Sequence, residues 1–286
     1  MMPFEKVAIL GAGLLGASLA AALKSRGLCA HVSAWSRSES TRKTCKSAAW
    51  CDDVFAEISD AVKDADLIVL ASTPDSIPEV AKRAAEFAKA GAIFTDLGST
   101  KAGIALRCES IFEGKDFFYT PSHPMAGSEK SGAQNADANL FENRACFVCP
   151  TANPQADSKI KEMWQALNMC VYSASPQEHD AIVAKVSHLP QCLASALASF
   201  AADDIETFKK YAGGGFKDTS RIAKSDTAMW LAIFKENSEN IDSALRRYIQ
   251  ILTNLADNIR GGDDVALEKI LTAARNTRLE MDITHE

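Results

Sequence analysis

The chain has 286 residues, of which 47% are hydrophobic and 24% charged, and a formal net charge of −6. That length suits one large or two modest globular domains, and an acidic balance with no long basic run disfavours nucleic acid or an anionic membrane as a partner. Eight cysteines, at 29, 45, 51, 108, 146, 149, 170 and 192, are scattered through mostly apolar contexts, as expected of packed, reduced thiols in a cytoplasmic protein rather than of a disulfide framework.

The apolar run over residues 7–10 suits a central parallel strand buried on both faces. Gly11-Ala-Gly13-Leu14-Leu15-Gly16 follows at once, and residues 17–23 read as a helix. Glycines at this spacing serve a tight turn, a close approach of backbone to a pyrophosphate, and close packing of helix on strand; the helix N-terminus adds N–H groups and a positive dipole end. Residues 11–16 are therefore the candidate cofactor loop, and the glycines argue against reading this apolar N-terminus as a signal peptide. The second strand, 31–35, runs into Ser36-Arg37-Ser38, where an NAD-binding unit normally places a carboxylate on the ribose hydroxyls. A guanidinium flanked by two hydroxyls suits a 2′-phosphate, so NADP is the expected cofactor and NAD the alternative. The competing readings are that Arg37 stacks on the adenine, or that Arg37, Arg42 and Lys43 form a solvated basic face.

The strand at 66–71 ends in Ser72-Thr73-Pro74, at the carboxyl edge where such sheets bind ligands, which adds Ser72 and Thr73 to the cofactor set. A helix over 76–89 and a strand over 92–95 lead to Asp96-Leu-Gly-Ser99-Thr-Lys101, offering a hydroxyl and a cation beside the nicotinamide end. Phe117-Phe118-Tyr119 then enters Thr120-Pro-Ser-His123-Pro-Met-Ala-Gly, which predicts a strand ending in a rigid loop, Pro121 and Pro124 fixing φ on either side of the histidine. An imidazole with its ordinary pKa of about 6.5 suits proton transfer near neutrality; the plainer alternative is a loop histidine bonded to a carbonyl. Strands are expected at 145–149 and 169–172. Between them a helix over 157–167 puts Ile160, Met163, Trp164 and Leu167 on one face. Cys146-Phe-Val-Cys149 has a redox spacing but falls in a strand, where residues three apart face opposite sides. No metal site is expected.

Beyond Pro176 the pattern is helical only. One apolar-faced segment covers 177–200, kinked or restarted at Pro190, with His188 just before the break. Gly213-Gly-Gly215 marks a turn, and residues 227–259 carry Trp230, Phe234, Ile241, Leu245, Tyr248, Leu252, Leu255 and Ile259 at helical spacing, a stripe suited to a subunit interface. No run reaches the roughly 18 apolar residues that a membrane span requires. The expected fold is α/β: a Rossmann-type dinucleotide-binding domain over 1–174, followed by an all-helical domain for substrate binding and dimerisation over 175–286.

Gly11-x-Gly-Leu-Leu-Gly16, Asp96-Leu-Gly-Ser-Thr-Lys101, His123-Pro-Met-Ala-Gly-Ser-Glu129, Ser187-His-Leu-Pro190 and Phe216-Lys-Asp-Thr-Ser-Arg-Ile-Ala223 occur in this order, with Met229-Trp230 after them. In this the chain resembles the prephenate/arogenate dehydrogenase family of tyrosine biosynthesis over nearly its whole length. The resemblance implies an NAD(P)-binding domain, a helical domain that forms a homodimer, and oxidative decarboxylation of a cyclohexadienol, prephenate or arogenate. It implies that His123 accepts the hydroxyl proton, that Ser99 orients that hydroxyl and the imidazole, that His188 lies beside the substrate, and that Arg221 binds a substrate carboxylate; Lys101 joins His188 and Arg221 as a substrate-binding candidate. Ser36-Arg37 departs from the acidic residue of many members.

These assignments also make chemical sense without the resemblance. An alcohol gives up hydride only as its proton leaves, so a base is needed at that oxygen. A dianionic substrate calls for a fork-shaped cation. The plainer alternatives are a salt bridge from Arg221 to Asp218 or Asp226, a helix-capping role for His188, and a core or interface role for Trp230. Two other functions remain to be weighed: a 3-hydroxyacid, 6-phosphogluconate or pyrroline-carboxylate type of enzyme, which could use Lys185, and a non-catalytic NADP-binding sensor.

Overall fold

The strand β1 (Phe4–Leu10) lies inside the main sheet, and its run Val7-Ala8-Ile9-Leu10 is fully buried. Successive side chains point to opposite faces, so Val7 and Ile9 join one core while Ala8 and Leu10 join the other. A strand covered on both faces has to be apolar throughout, and this accounts for the unbroken run in the sequence.

The computed structural model describes residues 4–127 and 130–283; the Ser128-Glu129 end of the histidine motif therefore lies outside the described residues. From β1 the chain continues as α1 (Leu14–Ser25), β2 (Cys29–Trp35), α2 (Glu39–Lys46), β3 (Asp53–Phe55), α3 (Ile58–Val62), β4 (Leu67–Leu70), α4 (Ile77–Ala84), β5 (Ile93–Asp96), α5 (Ala102–Phe112) and β6 (Phe118–Tyr119). The six strands form one parallel sheet in the order β3-β2-β1-β4-β5-β6. This is the Rossmann order, and its direction reverses between β1 and β4, where the crevice beyond the strand ends takes a ligand.

A second, smaller sheet follows: β7 (Ser122–Pro124), β8 (Ala145–Val148), α6 (Pro154–Ala166) and β9 (Cys170–Ser173), with β7 antiparallel and β9 parallel to β8. His123 is therefore not in a loop, as the two prolines suggested. It occupies a three-residue strand opposite Phe147. The prolines are tolerated there because β7 is an edge strand, where a missing N–H breaks no ladder on the open side.

The helical part starts with α7 (Pro176–Val183), a π-helical turn (Ala184–His188) and α8 (Leu189–Ala202). The irregularity expected at Pro190 is this π turn, which ends just before the proline and leaves Pro190 in the first turn of α8, where it costs least. Then come α9 (Ile205–Tyr211), α10 (Gly214–Ser220), a 3-10 turn (Arg221–Lys224) and α11 (Thr227–Glu236). The single stripe expected over 227–259 is broken after Glu236, and its remainder lies on α12 (Ser238–Gly261), followed by α13 (Asp264–Ile283).

The chain divides into two compact units, Met1–Ser238 and Glu239–Glu286. The helices from α7 to α11 thus belong with the sheets, because buried hydrogen bonds tie α7 to the start of α5. Pro176–Ala202, counted through the π turn, is long and apolar enough by composition to cross a membrane, at a mean hydropathy of 1.2. Two of its polar residues are bonded within the protein, Asp180 to α5 and His188 toward Asn237. Those bonds mark it as a helix that carries site residues.

Candidate active site

The cofactor loop follows from how closely β1, β4 and α1 pack. Gly11 has φ of +111°, and a Cβ there would come within 2.8 Å of the Ala71 carbonyl; a Cβ on Gly16 would come within 2.5 Å of the Gly11 carbonyl oxygen. Neither position has room for a side chain. Gly13 differs, since an added Cβ meets nothing within 4 Å. There α1 begins with no side-chain cap and no acidic residue in its first turn, so the N–H groups around Leu14, Leu15 and Gly16 remain available to an anion. Beside Ala71, the Ser72 hydroxyl is buried with no hydrogen-bond partner, while Thr73 is exposed and its hydroxyl lies 3.0 Å from that of Ser76. An open cradle lined by N–H groups, with an orphaned hydroxyl at its edge, fits a dinucleotide.

At the end of β2, Arg42 Nη1 donates to the carbonyls of Ser36 (2.7 Å) and Arg37 (2.9 Å) and so fixes the corner. Ser38 caps α2, its hydroxyl accepting from Thr41 N at 3.3 Å. Lys43 pairs with Glu39 at 2.7 Å. Two of the three cations of the supposed basic face are thus engaged locally. The Arg37 side chain is exposed and makes no ion pair among the described residues.

The second half of the site is buried. Asp96, the last residue of β5, accepts from Gly98 N and from the Tyr119 hydroxyl, each at 2.9 Å, and forms an ion pair with Lys101. Lys101 is wholly buried, so its ammonium faces Asp96 across one tight strand–helix loop instead of standing free beside the nicotinamide end. Ser99, in the same loop, is partly exposed. Thr95 Oγ1 donates to Thr120 O at 2.8 Å, and Ser122 Oγ donates to Asp96 O at 2.9 Å. These bonds place β7 just beyond the carboxyl ends of β5 and β6, with His123 on it.

His123 does not stand alone. Its Nδ1 is 2.8 Å from His179 Nε2, and His179 Nδ1 is 2.8 Å from Asp180 Oδ1. Asp180 also accepts from Lys101 N (2.7 Å) and Ala102 N (2.9 Å), so its carboxylate caps the N-terminus of α5. Local sequence sets up this arrangement: Ser175 and Glu178 form a reciprocal capping box with Pro176 in the first turn, and His179-Asp180 follow at once. His188 is buried, its Nδ1 3.2 Å from Asn237 Nδ2 and its ring edge-on to Trp230 at 5.8 Å. Asn237 donates to Asp180 O at 2.8 Å. The side chain of His188 therefore turns inward and caps no helix.

Burial keeps these imidazoles neutral. His123 is held well below the usual histidine range, chiefly by burial and then by His179, Lys101 and His188. Burial also lowers His179, partly offset by the Asp180 hydrogen bond, and lowers His188 to about 4, where Asp180 again opposes the shift. The base expected to titrate near neutrality is thus shifted to the acid side.

Arg221 opens the 3-10 turn that packs on α8; it is exposed and forms no ion pair with Asp218 or Asp226. Asp226 caps α11 instead, accepting from Met229 N at 2.8 Å. Lys185 is exposed in the π turn. The sequence reading passed over His179, Asp180, Asn237 and Gln191. Gln191 is buried one turn beyond His188, its amide oxygen unpartnered, as is the indole N–H of Trp230. Of the four, only His179-Asp180 had a legible signal, the capping box just ahead of them.

All eight cysteines are free thiols, and burial pushes Cys149 up to about 12. Among the described residues no group of three His, Cys, Asp or Glu is arranged to hold a metal ion.

A Rossmann crevice next to a neutral, buried imidazole fits a nicotinamide-dinucleotide dehydrogenase. The particular family comes from comparison with known proteins. Residues 19–173 match the nucleotide-binding domain of prephenate dehydrogenase, and residues 175–273 match its dimerization domain. The chain belongs to the prephenate dehydrogenase family and is an NAD(P)-dependent dehydrogenase. It is 32% identical to a prephenate dehydrogenase of Lactococcus lactis, over 98% of this chain and 78% of that protein. It is 29% identical to a cyclohexadienyl dehydrogenase of Zymomonas mobilis, over 100% of this chain and 99% of that one. A crystal structure of prephenate dehydrogenase from A. aeolicus, in complex with hydroxyphenyl propionate and NAD+, superposes with a TM-score of 0.90 at 31% identity, covering 97% of this chain and 98% of that one.

Proposed function

We propose that this dehydrogenase carries out oxidative decarboxylation of prephenate, arogenate or both, as a cytoplasmic homodimer with NADP preferred over NAD. Residues 1–174 form its cofactor-binding part and 175–286 its substrate-binding and dimerisation part. The observation that carries the reading is His123, neutral and 7% exposed, just beyond the strand ends at which the cofactor cradle opens. A bound nicotinamide supplies the hydride acceptor.

Gly11, Gly13 and Gly16, with Leu14 and Leu15 at the start of α1, hold the pyrophosphate; Ser36, Arg37 and Ser38 meet the 2′-phosphate; Ser72 and Thr73 line the strand-end crevice. His123 takes the proton of the ring hydroxyl as hydride leaves the same carbon, and Ser99 orients that hydroxyl. The ring carboxylate departs as carbon dioxide, aromatisation supplying the driving force. Arg221, which makes no ion pair among the described residues, binds a substrate carboxylate, and His188 lies beside the substrate. Lys101 acts on the site through Asp96, balancing that carboxylate behind the Ser99 loop. The reduced, packed thiols accord with a cytoplasmic setting.

Assay of purified protein with prephenate and with arogenate, each with NADP and with NAD, tests the proposal. Turnover of at least one pairing with release of carbon dioxide is expected. Oxidation of a saturated 3-hydroxyacid in its place would return the assignment to the Lys185 type of enzyme, although that lysine is exposed and distant in sequence from the His123 strand. A non-catalytic sensor is disfavoured by the convergence of polar side chains on His123, which cofactor binding alone does not require.

A further inference from the structure

We propose that His179 and Asp180 are positioning residues for His123, fixing the tautomer in which Nδ1 carries the proton and Nε2 is left bare to receive one from the substrate. The proposal rests on the assignment of His123 as the base.

The assignment follows from donors and acceptors taken in order. Asp180 already accepts from two backbone N–H groups, at 2.7 and 2.9 Å, and an ionised carboxylate can only accept. The 2.8 Å contact between His179 Nδ1 and Asp180 Oδ1 therefore needs the hydrogen on His179 Nδ1. Burial keeps His179 neutral, so its Nε2 carries a lone pair and no hydrogen. The next contact, 2.8 Å from His179 Nε2 to His123 Nδ1, then requires the hydrogen on His123 Nδ1. His123 is itself neutral, and this leaves Nε2 as its one basic atom.

The same chain serves the charged state. When the substrate O–H bond breaks and an N–H bond forms at His123 Nε2, the imidazolium donates from Nδ1 to the His179 lone pair. Asp180, behind His179, supplies the balancing negative charge. The other groups around the pair would not serve in this way. Lys101 is a cation engaged by Asp96, His188 is neutral, and Cys146, opposite Pro124 in the sheet, is a thiol with its pKa raised by burial. Ring packing fixes the orientation as well, since His179 stands edge-on to both His123 (5.0 Å between centroids) and Phe147 (5.1 Å).

The test combines the nitrogen NMR shifts of His123, which report its tautomer, with kinetics of His179→Leu and His179→Gln. The wild type should show His123 protonated at Nδ1 only. His179→Leu removes the acceptor; it should abolish that preference and lower kcat about 10- to 100-fold, with KM for substrate and cofactor changed less than about threefold. His179→Gln, whose amide oxygen can still accept from Nδ1–H, should recover a large part of kcat. Protonation of wild-type His123 at Nε2, or a His179→Leu enzyme within about twofold of wild-type kcat, overturns the proposal. Should the leucine variant fail to fold, the wild-type tautomer and the glutamine variant decide. If the tautomer is as stated and responds to His179 while kcat of His123→Asn is unchanged, the base assignment fails and the positioning does not.

Discussion

The two halves of the site are built in different ways. The corner where β2 meets α2, together with the glycine loop after β1, comes from short continuous segments, 11–16 and 36–38, and lies partly open to solvent. The histidine cluster is buried and draws on five separate places: the loop after β5, the strand β7, the start of α7, the π turn and Asn237. On the proposed function the first half recognises charge, which works at a surface and weakens with salt. On the same proposal the second controls a proton, and this requires exclusion of water and fixed hydrogen-bond partners. Damage to the buried half should therefore cost more than damage to the open half.

The largest effect is expected at His123. His123→Asn keeps a polar side chain of similar reach but removes the base, and kcat should fall by roughly two to four orders of magnitude with little change in KM. Because burial holds the free imidazole well below its ordinary value, the acid limb of kcat/KM for the wild type should lie well below pH 6.5. Steady-state kinetics across pH check both points. A limb centred near 6.5 would mean that the histidine is more hydrated than its place in β7 implies.

Next comes stability toward acid, which separates the halves without any assay of activity. His188 titrates near 4 in the folded protein and near 6.5 when unfolded. With its folded pKa depressed, its contribution is fully present above pH 6.5 and is lost as the pH falls from there toward 4, because only the unfolded chain takes up the proton readily. The difference between these two values corresponds to about 3.4 kcal/mol at most. Chemical denaturation at pH 7.5 and 4.5 should show such a loss, reduced in His188→Gln. The direction of shift at His123 and His179 is the same, so some loss should persist in that variant. Charge changes at Arg37 should leave this pH dependence untouched.

The contrast also explains what could be read in advance. The glycine loop and the order of strands and helices were legible because each depends on residues a few positions apart, and local periodicity reports them. The second sheet was legible only in part: β8 and β9 fall where strands are expected, at 145–149 and 169–172, but β7 reads as a loop. Its strand β7 is three residues long and rich in proline, and it is a strand only because β8, some twenty residues on, pairs with it. His123 and His188 were singled out as residues, yet their neutrality depends on burial by distant segments, which no local pattern carries. The Lys101 ammonium looked available for the same reason: Asp96 stands five residues away in sequence, but the turn that brings the two together is a property of the fold. His179-Asp180 could have been suspected from the capping box ahead of it, since a box fixes the first turn of a helix and so gives the residues just after it a defined direction.

On the proposed function, Arg221 is the point at which the open half reaches toward the substrate. It is exposed and makes no ion pair among the described residues, and a charge-assisted hydrogen bond to a carboxylate contributes about 1.5–3 kcal/mol. Arg221→Ala should therefore raise KM for the substrate by about 10- to 150-fold while lowering kcat much less, because a carboxylate held before and during hydride transfer is bound uniformly. The KM-against-kcat split distinguishes this from a folding defect. Loss of kcat with KM unchanged would place Arg221 in the chemistry, in contradiction to the division drawn above.

The smallest effect, and the sharpest test of the open half, concerns the cofactor. A 2′-phosphate carries about −1.5 to −2 charges, to judge from phosphate monoesters. At the β2–α2 corner Arg42 is held by two backbone carbonyls and Lys43 by Glu39, which leaves Arg37 to meet that charge. The Ser38 hydroxyl already accepts from Thr41 N, but its neighbours at the start of α2 add N–H groups and a positive dipole end. Against this, Glu39 lies in the first turn and its carboxylate opposes an anion there unless Lys43 keeps it turned away. The net preference should accordingly be modest: NADP over NAD by at least about tenfold in kcat/KM, which needs only about 1.4 kcal/mol. The double change Ser36→Asp with Arg37→Ala should reverse the order, since an aspartate repels the phosphate and accepts from the ribose hydroxyls. Both ratios should move toward unity as salt is raised, because the interaction is exposed. Equal use of the two cofactors by the wild type at low salt would show that Arg37 does not read the phosphate, and that Glu39 cancels the corner's positive charge.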